Sequence, residues 1–360
     1  GVQLLTTPGS PRHFSADGRR IAGLAGGDQL VIWEFAHDQE CRRLPAHLTH
    51  GVTVHPDGST FAAYGRNGTT FFDLGSGEKI GEANTGDTYS AAFCTNQESM
   101  ITGGAAGLVR WPLRQLDDVS GQRWELGPRD VLWEDIRIRE AVLSADQRQV
   151  AAASVRGIGR VVDLSNEEFQ PLQGQPGMHN VAISPDVKFV ISGAWRATSG
   201  TRVWDAETGK LVHQFKHSFP CSLPRISPDG RVLAIGSDAT YQFYEMGTWR
   251  PLHMIEREQR SNTCDSVCFS PDGRLMALNY SREEVRLYDA KTFELLAAVV
   301  SRQQTAHSFC RESRRLIVTE IDGGLRRLRI WDLPGVRKRL GELGLVWEDH
   351  PSPNGSDCDR

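Results

Sequence analysis

A short turn motif recurs through this chain every 39 to 50 residues, and this recurrence constrains the fold more than any other feature. Its clearest copy, Ser-Pro-Asp-Gly at residues 270–273, follows Phe269 and precedes an alternating run from Leu275 to Asn279. Proline presets φ at about −65°, aspartate bonds to nearby backbone, and glycine takes the positive φ that closes the turn. Runs with a period of two residues on both sides of such a turn predict antiparallel strands.

The turn motif has eight copies, counted here as repeats one to eight. A second sequence pattern, called here the second landmark, recurs with the same spacing. The turn acids, or the residues that replace them, are Asp17, Asp57, Asn96, Asp146, Asp186, Asp229, Asp272 and Glu312. The second landmark is an apolar run that ends at Trp33, Phe72, Trp111, Val162, Trp204, Tyr244, Tyr288 or Trp331. Two landmarks in phase over eight copies indicate a tandem repeat.

A polar, glycine-containing connection follows the second landmark, as in Ala206–Lys210, and leads into another short run, Leu211–Phe215. Each repeat therefore supplies four strands. A four-stranded unit of about 40 residues with a Trp-Asp signature resembles the WD-repeat β-propeller family, here from Val2 to Leu333. The repeats and this resemblance predict an all-β ring of eight four-stranded blades. Seven blades are the alternative, if the degenerate third repeat does not form a blade.

The ends of the repeat array predict how the ring closes. Repeat eight stops at its third strand, Ile330-Trp331-Asp332, and Val2–Thr6 is a spare strand-like segment at the other end. Pairing the two would remove the open edges that invite aggregation. We therefore predict a single propeller domain over residues 1–333, a short helix packed on the rim over 334–346, and a disordered tail over 347–360.

A closer resemblance is to the degenerate propellers of planctomycete-type bacterial multidomain proteins, which often follow a serine/threonine kinase. Val203–Val212, Met246–Pro251 and the ending Ile330–Leu333 carry it. The resemblance implies a sensing or signalling role, although this chain has no Gly-rich loop, His-Arg-Asp or Asp-Phe-Gly of a kinase. The WD-repeat resemblance also implies a Trp-Ser-His-Asp hydrogen-bond network. That network is incomplete here, because the Gly-His before each inner strand is mostly absent and Met178-His179 is only a loose echo.

Composition excludes several classes of protein. The 41 Lys and Arg against 45 Asp and Glu give a net charge of −4, which disfavours nucleic acid as a partner. No apolar run approaches the roughly 20 residues of a membrane span. Seven cysteines without paired spacing favour a reducing, cytoplasmic compartment. Export is the alternative if the chain is part of a membrane-spanning kinase. We expect the isolated domain to be monomeric.

The search for reactive groups predicts no catalytic residue, no cofactor and no metal. Thr208-Gly209-Lys210-Leu211 lacks the serine or threonine and the earlier glycine of a phosphate loop. Cys264 and Cys268 fall on one face of an inner strand, which favours buried thiols over a zinc pair. His47, His50 and His55 cluster in a loop and the strand that follows it. The inner strands carry mainly small and apolar residues, such as Ala91, Ala92, Val181 and Ala182, so a propeller hydrolase is the least favoured function.

The irregular spacing between repeats three and four predicts the binding site. About ten extra residues fall within Gly127–Arg139, in a connection that we place on the same rim as the hairpins Val155–Gly159 and Ala194–Gly200. Tryptophan and arginine dominate interface hot spots. The candidate partner-binding residues are Trp133, Arg137, Arg156, Trp195 and Arg196. The alternative is that the two tryptophans fold back on their own blades. The leading hypothesis is a non-catalytic scaffold that binds a protein or peptide, and the second is a ligand-sensing domain of a larger bacterial signalling kinase.

Overall fold

The computed structural model describes most of the chain in fourteen segments. They are residues 10–14, 20–25, 29–34, 41–45, 49–118, 121–134, 137–196, 199–215, 221–258, 267–281, 284–300, 304–310, 313–322 and 325–342. Nearly all of the regular structure is antiparallel strand, with one short helix at Leu333–Glu342.

Seven sheets form the blades of a β-propeller, and each carries strands a to d from the channel outwards. Strands a to d of blade 1 are Thr49–Val54, Thr60–Gly65, Gly68–Asp73 and Lys79–Ala83. Those of blade 2 are Thr88–Cys94, Ser99–Gly104, Gly107–Asp118 and Asp130–Trp133. Those of blade 3 are Ile138–Leu143, Gln149–Ser154, Gly159–Asp163 and Phe169–Pro171. Blades 4 and 5 are Met178–Ile183, Phe189–Ala194, Thr201–Asp205, Leu211–Phe215; and Leu223–Ile226, Val232–Gly236, Thr240–Glu245, Pro251–Glu256. Blades 6 and 7 are Val267–Phe269, Leu275–Asn279, Glu284–Asp289, Leu295–Val300; and Gln304–Phe309, Arg315–Asp322, Leu325–Asp332, Cys41–Pro45.

The ring closes at seven blades because a strand from the start of the chain completes the last blade. Cys41–Pro45 pairs with strand c of blade 7, with Arg42 opposite Ile330. The all-β propeller is confirmed, and its blade number is the alternative of seven rather than eight. The third repeat forms a proper blade, blade 2. It is the first repeat that stays outside the ring, because its own fourth strand is used by blade 7. Val2–Thr6, predicted to close the ring, lies outside the described residues.

The first repeat forms a separate three-stranded sheet, called here the N-terminal sheet. Its strands are Ser10–Phe14, Arg20–Ala25 and Gln29–Glu34, and they pair in that order. Blades 1 to 7 therefore correspond to repeats two to eight.

The turn motif works through a serine and an aspartate. In blade 6 the Ser270 hydroxyl donates to Asp272 Oδ1 at 2.6 Å and accepts from the backbone N–H of Leu275 at 2.8 Å. Asp272 Oδ1 also accepts from the backbone N–H of Arg274 at 3.0 Å, and Gly273 has a φ of 68°. The same serine–aspartate bond recurs in blades 3, 4 and 5 as Ser144–Asp146, Ser184–Asp186 and Ser227–Asp229. The bond fixes the a–b links of blades 3 to 6, as the sequence pattern predicts.

The core consists of seven apolar clusters, one between each pair of neighbouring blades. The cluster between blades 7 and 1 includes Phe61 and Phe72 from one side and Ile317 and Leu328 from the other. The remaining six clusters join blades 1–2, 2–3, 3–4, 4–5, 5–6 and 6–7. A blade cannot bury both of its faces alone, so this continuous set of interfaces is what holds the ring together.

The two rims of the ring carry different links. The a–b turns and the c–d links lie at one end of the strands, and we call this end the turn rim. The b–c hairpins and the connections from strand d to the next blade lie at the other end, which we call the crossing rim. These positions follow from the antiparallel order within each blade.

The extra residues of repeat three form a hairpin on the turn rim. Strand c of blade 2 continues beyond its sheet to Asp118 and pairs there with Gly121–Leu126. Asp130–Trp133 is strand d of the blade and pairs with the first part of strand c. The predicted insertion within Gly127–Arg139 on the crossing rim is therefore wrong. The added hairpin instead packs against blade 1, where Trp124 Nε1 donates to Thr60 Oγ1 at 3.2 Å.

The chain leaves blade 7 through the helix Leu333–Glu342. Leu333 is buried and Val336 packs against the cluster between blades 6 and 7, so the helix lies on the turn rim. The helix predicted from the sequence over 334–346 extends four residues beyond Glu342. The predicted tail over 347–360 lies outside the described residues.

Candidate functional site

A patch of exposed arginine and apolar side chains lies on the crossing rim over blades 2 to 4. We call it the crossing-rim patch, and its residues are Arg137, Val155, Arg156, Ile158, Trp195 and Arg196. Val155 is 49% exposed and Ile158 is 41% exposed. Arg137, Arg156 and Arg196 are also exposed. Four of the five residues predicted from the sequence as partner-binding therefore lie in this patch.

A buried glutamine holds the loops of the patch together. The backbone N–H of Val155 donates to the Arg137 carbonyl at 3.0 Å, which ties the blade 3 hairpin to the connection before it. The backbone N–H of Gln175 donates to the Gly157 carbonyl in the same hairpin at 3.3 Å. The Gln175 side chain then donates to the Gly200 carbonyl at 2.7 Å in the blade 4 hairpin. Gln175 is only 1% exposed, so it positions the loops from below and does not itself form the surface.

The same glutamine connects the patch to the core of blade 4. The Ser192 hydroxyl donates to Gln175 Oε1, and Trp204 Nε1 donates to Ser192 Oγ at 2.6 Å. These linked hydrogen bonds take the place of part of the Trp-Ser-His-Asp network that the family resemblance implies. Sequence reasoning missed Gln175, because it expected a histidine in the segment before strand a and looked for it at His179.

Trp195 is half-buried at the edge of the patch. Its ring stacks on His179, with 5.4 Å between the ring centroids and 22° between the planes. Its backbone N–H donates to the Gly177 carbonyl at 2.8 Å, and Trp195 also forms an isolated bridge with Cys221. The next residue, Arg196, has a φ of 53°, a conformation that non-glycine residues seldom adopt. One face of Trp195 is therefore supported by the protein while part of the side chain stays accessible.

Trp133, the fifth predicted residue, lies elsewhere. It belongs to strand d of blade 2 and is only 7% exposed, within the cluster between blades 2 and 3. The Arg160 guanidinium lies 4.3 Å from the centre of its ring and 3.9 Å from that of Phe169. Trp133 therefore packs against the next blade, which is the alternative that the sequence left open.

Strand a of every blade contributes to a central cavity of about 470 Å³. Its main polar feature is an ion pair in which Arg225 Nη2 of blade 5 lies 2.7 Å from Glu140 Oε1 of blade 3. Glu140 Oε2 accepts from the backbone N–H of Val181 in blade 4 at 2.9 Å. Glu140 thus joins three consecutive blades. The sequence analysis noted mainly small and apolar residues on the inner strands and did not anticipate this ion pair.

Burial alters the titration of two groups beside this ion pair. Burial, and then the nearby Glu140 carboxylate, raise the pKa of Tyr64 to about 12. Burial raises the pKa of the Cys268 thiol to about 12 as well. Both side chains are therefore neutral at physiological pH, and the Cys268 thiol is a poor nucleophile.

An arginine and an aromatic ring form the mouth of the channel. Arg139 lies 4.8 Å from the ring centre of Tyr89, whose hydroxyl donates to Asp87 Oδ2 at 2.8 Å. His50 Nε2 lies 3.1 Å from Asp87 Oδ1. In the described residues, no carboxylate lies within 4.0 Å of the Arg139 guanidinium.

The described cysteines and histidines among those noted in the sequence do not come together as a ligand set. Cys268 is a buried free thiol, as predicted, and Cys264 lies outside the described residues. Cys221 is disulfide-bonded to a cysteine whose side chain is not described. His55 pairs with Asp57 in blade 1, separately from His50, and His47 is not described. Among the described residues, no three His, Cys, Asp or Glu side chains could hold a metal ion, and no helix has the length and hydropathy of a membrane span.

We expect His179 to make stability depend on pH. Burial, and then the positive charge of Arg139, lower the pKa of His179 to about 4. The unfolded chain binds the proton with a pKa of about 6.5, so the folded state is favoured above pH 6.5 and loses this advantage as the pH falls towards 4. The folded-to-unfolded ratio should fall by up to about tenfold per pH unit in that window.

Urea unfolding of His179→Gln between pH 7 and pH 4.5 checks this expectation, with His253→Gln as a control for the loss of an exposed histidine. The slope of stability against pH should become shallower in His179→Gln only. Equal slopes in all three proteins would contradict the assignment.

Comparison with known proteins agrees with the geometry. The chain is similar to the eukaryotic translation initiation factor 3 subunit I of Lodderomyces elongisporus, with 24% identity over 173 residues. The match covers 44% of this chain and 47% of the relative, so the chain spans about half of that protein's length. No protein-family model matches the chain. The repeated turn, the Trp-Asp landmark and the closed ring of four-stranded sheets, taken with this similarity, identify a WD-repeat-like β-propeller.

Proposed function

We propose that this propeller is a non-catalytic protein-interaction scaffold, and that it binds its partner through the crossing-rim patch. The observation that carries the proposal is the Gln175 linkage, which ties the blade 3 hairpin to the blade 4 hairpin. Loops on a rigid scaffold are the usual carriers of binding. The exposed side chains of the patch are arginines, branched aliphatic residues and a tryptophan, which combine charge with apolar contact area.

The partner chemistry that fits the patch is an acidic segment with interspersed apolar side chains. In the described part of the chain, Arg137, Arg156 and Arg196 have no carboxylate within 4.0 Å. Unpaired arginines can form bidentate bonds with the carboxylates of a partner. Val155 and Ile158 lie between these charges and offer an apolar contact to a leucine or phenylalanine of the partner.

Charge reversal on the patch tests this function. A fluorescein-labelled peptide of alternating glutamate and leucine residues is the probe, and the readout is fluorescence anisotropy. We expect Arg137→Glu/Arg156→Glu/Arg196→Glu to weaken binding by about a hundredfold, since each lost arginine contact is worth about 1 kcal/mol.

The matched control is a triple reversal on the turn rim, Arg231→Glu/Arg250→Glu/Arg274→Glu, which changes the net charge equally. We expect it to leave binding within about twofold of the unmodified protein, because contacts beyond a Debye length of roughly 10 Å are screened. Equal weakening by the two triple variants, or no binding of the acidic peptide to the unmodified protein, would contradict the proposal.

A second candidate function is a ligand-sensing domain of a larger bacterial signalling kinase. The central cavity supports it, because about 470 Å³ is enough space for a small ligand. Arg139 and Asn180 face this space beside Tyr89, a combination that suits a small carboxylate. A thermal-shift series with small dicarboxylic acids tests the idea. A shift that Arg139→Ala abolishes supports it, whereas a shift unaffected by that substitution counts against it. The kinase context itself is tested by the coding sequence upstream of this chain.

A further inference from the structure

The N-terminal sheet has the build of strands a, b and c of a blade. Its three strands are antiparallel and consecutive, and the residue at the second landmark, Trp33, pairs with Ile21. The register of strand a shifts between Pro11 and His13. Strand a of blade 7 carries a shift at the same distance from its last residue, between Ala306 and Ser308. Strands a of blades 1, 3 and 4 carry a shift two residues earlier. The sheet is therefore the same structural unit as the blades of the ring.

The ring has no place for this unit. Seven apolar clusters already join seven blades in a closed circle. The segment that follows the N-terminal sheet, Cys41–Pro45, pairs with blade 7 and not with Gln29–Glu34. Within the described residues, no strand pairs with the outer edge of Gln29–Glu34.

The sequence of the N-terminal sheet is that of a covered blade. The run Leu30-Val31-Ile32-Trp33 is apolar throughout and does not alternate with polar residues. Strands that are apolar on both faces are typical of sheets with a layer on each side. Free edges are often protected by charged residues or proline, and in Gln29–Glu34 the one such residue is Glu34 at its end. The pattern therefore indicates neighbours on both faces and a further strand at the edge.

We propose that residues 10–34 are the last three strands of a second WD-repeat-like ring in the same polypeptide, on the N-terminal side of this one. The ring described here sets the precedent: it begins with a strand d, Cys41–Pro45, and ends with strands a to c of the blade that this strand completes. A preceding ring in the same phase ends with strands a to c at residue 34. The outer edge of Gln29–Glu34 then binds the first strand of that ring by backbone hydrogen bonds, and its neighbouring blades cover both faces.

Hydrogen–deuterium exchange on two proteins tests this proposal, after the coding sequence upstream of residue 1 has been read. One protein is the 360-residue chain, and the other is the product of the complete coding sequence that this reading establishes. The upstream sequence is expected to contain repeats of about 40 residues in the same phase. The amides of Gln29–Glu34 should exchange at least about a hundredfold more slowly in the longer protein. The amides of Thr201–Asp205 in blade 4 should be equally protected in both.

Each other outcome overturns the proposal. An upstream sequence without in-phase repeats removes the second ring. Full protection of Gln29–Glu34 in the monomeric 360-residue chain means that a strand of the same chain already occupies this edge. Protection that grows with protein concentration means that a second copy of the chain occupies the edge. Equal, fast exchange in both proteins means that no strand binds there.

Discussion

Replacing Trp204 with alanine is expected to lower the free energy of unfolding by about 3–5 kcal/mol. Trp204 is 1% exposed and packs in the cluster between blades 3 and 4, so its removal leaves a large cavity. The substitution also leaves the Ser192 hydroxyl without its indole donor. Because Ser192 holds Gln175, the loss should extend to the loops of the crossing-rim patch. Urea unfolding followed by circular dichroism measures the effect.

Two further variants separate the contributions to this effect. Trp204→Phe keeps most of the volume and removes the hydrogen bond, and it should cost about 1–3 kcal/mol. Trp195→Ala removes a half-buried ring at the surface, and it should cost about 1 kcal/mol or less while weakening peptide binding. A Trp204→Ala protein as stable as Trp195→Ala would show that the Trp204–Ser192–Gln175 chain does not support the ring.

The ion pair in the channel is expected to give the second-largest effect. Replacing Arg225 with methionine should lower the free energy of unfolding by about 2–3 kcal/mol, because Glu140 then stays in the channel without its cation. The value lies below that of a fully buried pair, since the Arg225 side chain is 29% exposed and that of Glu140 is 14% exposed. Glu140→Gln should cost a similar amount, although an amide oxygen can still accept from Val181.

A double-mutant cycle isolates the pair. Arg225→Met/Glu140→Gln should cost at least about 1 kcal/mol less than the sum of the single variants, because no unpaired charge remains. Additive losses would show that the two side chains do not interact in the folded protein. Arg250→Met, at an exposed ion pair on the turn rim, is the control and should change stability by less than about 1 kcal/mol.

The periodic part of the fold could be predicted from the sequence because the residues of each turn determine its conformation locally. Ser270 and Asp272 fix a link whose pattern is visible in four consecutive residues, and the spacing of such links fixes the blade. The blade number could not be derived in the same way. Cys41–Pro45 follows Gln29–Glu34 at the ordinary spacing of a fourth strand, and only the pairing shows that it completes blade 7 instead. Strand sequences carry little information about which of two similar edges they join.

The candidate site, too, could be predicted only in part. Arg137, Arg156, Trp195 and Arg196 lie on the rim that the sequence predicts, because their loops follow directly from the strand order, and their role in binding stays a prediction. Trp133 was misplaced because the extra residues of repeat three were assigned to the wrong link, and strand d was read as a loop. Residues that act across blades left no local signal. Glu140 and Arg225 meet across the channel from strands about 85 positions apart, and Gln175 bonds to its partners through contacts that only the packed ring creates.

Disulfide trapping of position 42 tests the closure of the ring, on which the placement of every loop depends. A protein with Cys41→Ser, Arg42→Cys, Ile330→Cys and Ile32→Cys offers the cysteine at position 42 two competing partners. Position 330 is its register partner in blade 7, and position 32 is the equivalent place in the N-terminal sheet. Cross-strand pairs of this kind lie within disulfide reach. After oxidation, peptide mapping by mass spectrometry should find a 42–330 link in the monomer. A 42–32 link would place the first repeat in the ring as an eighth blade and contradict the account.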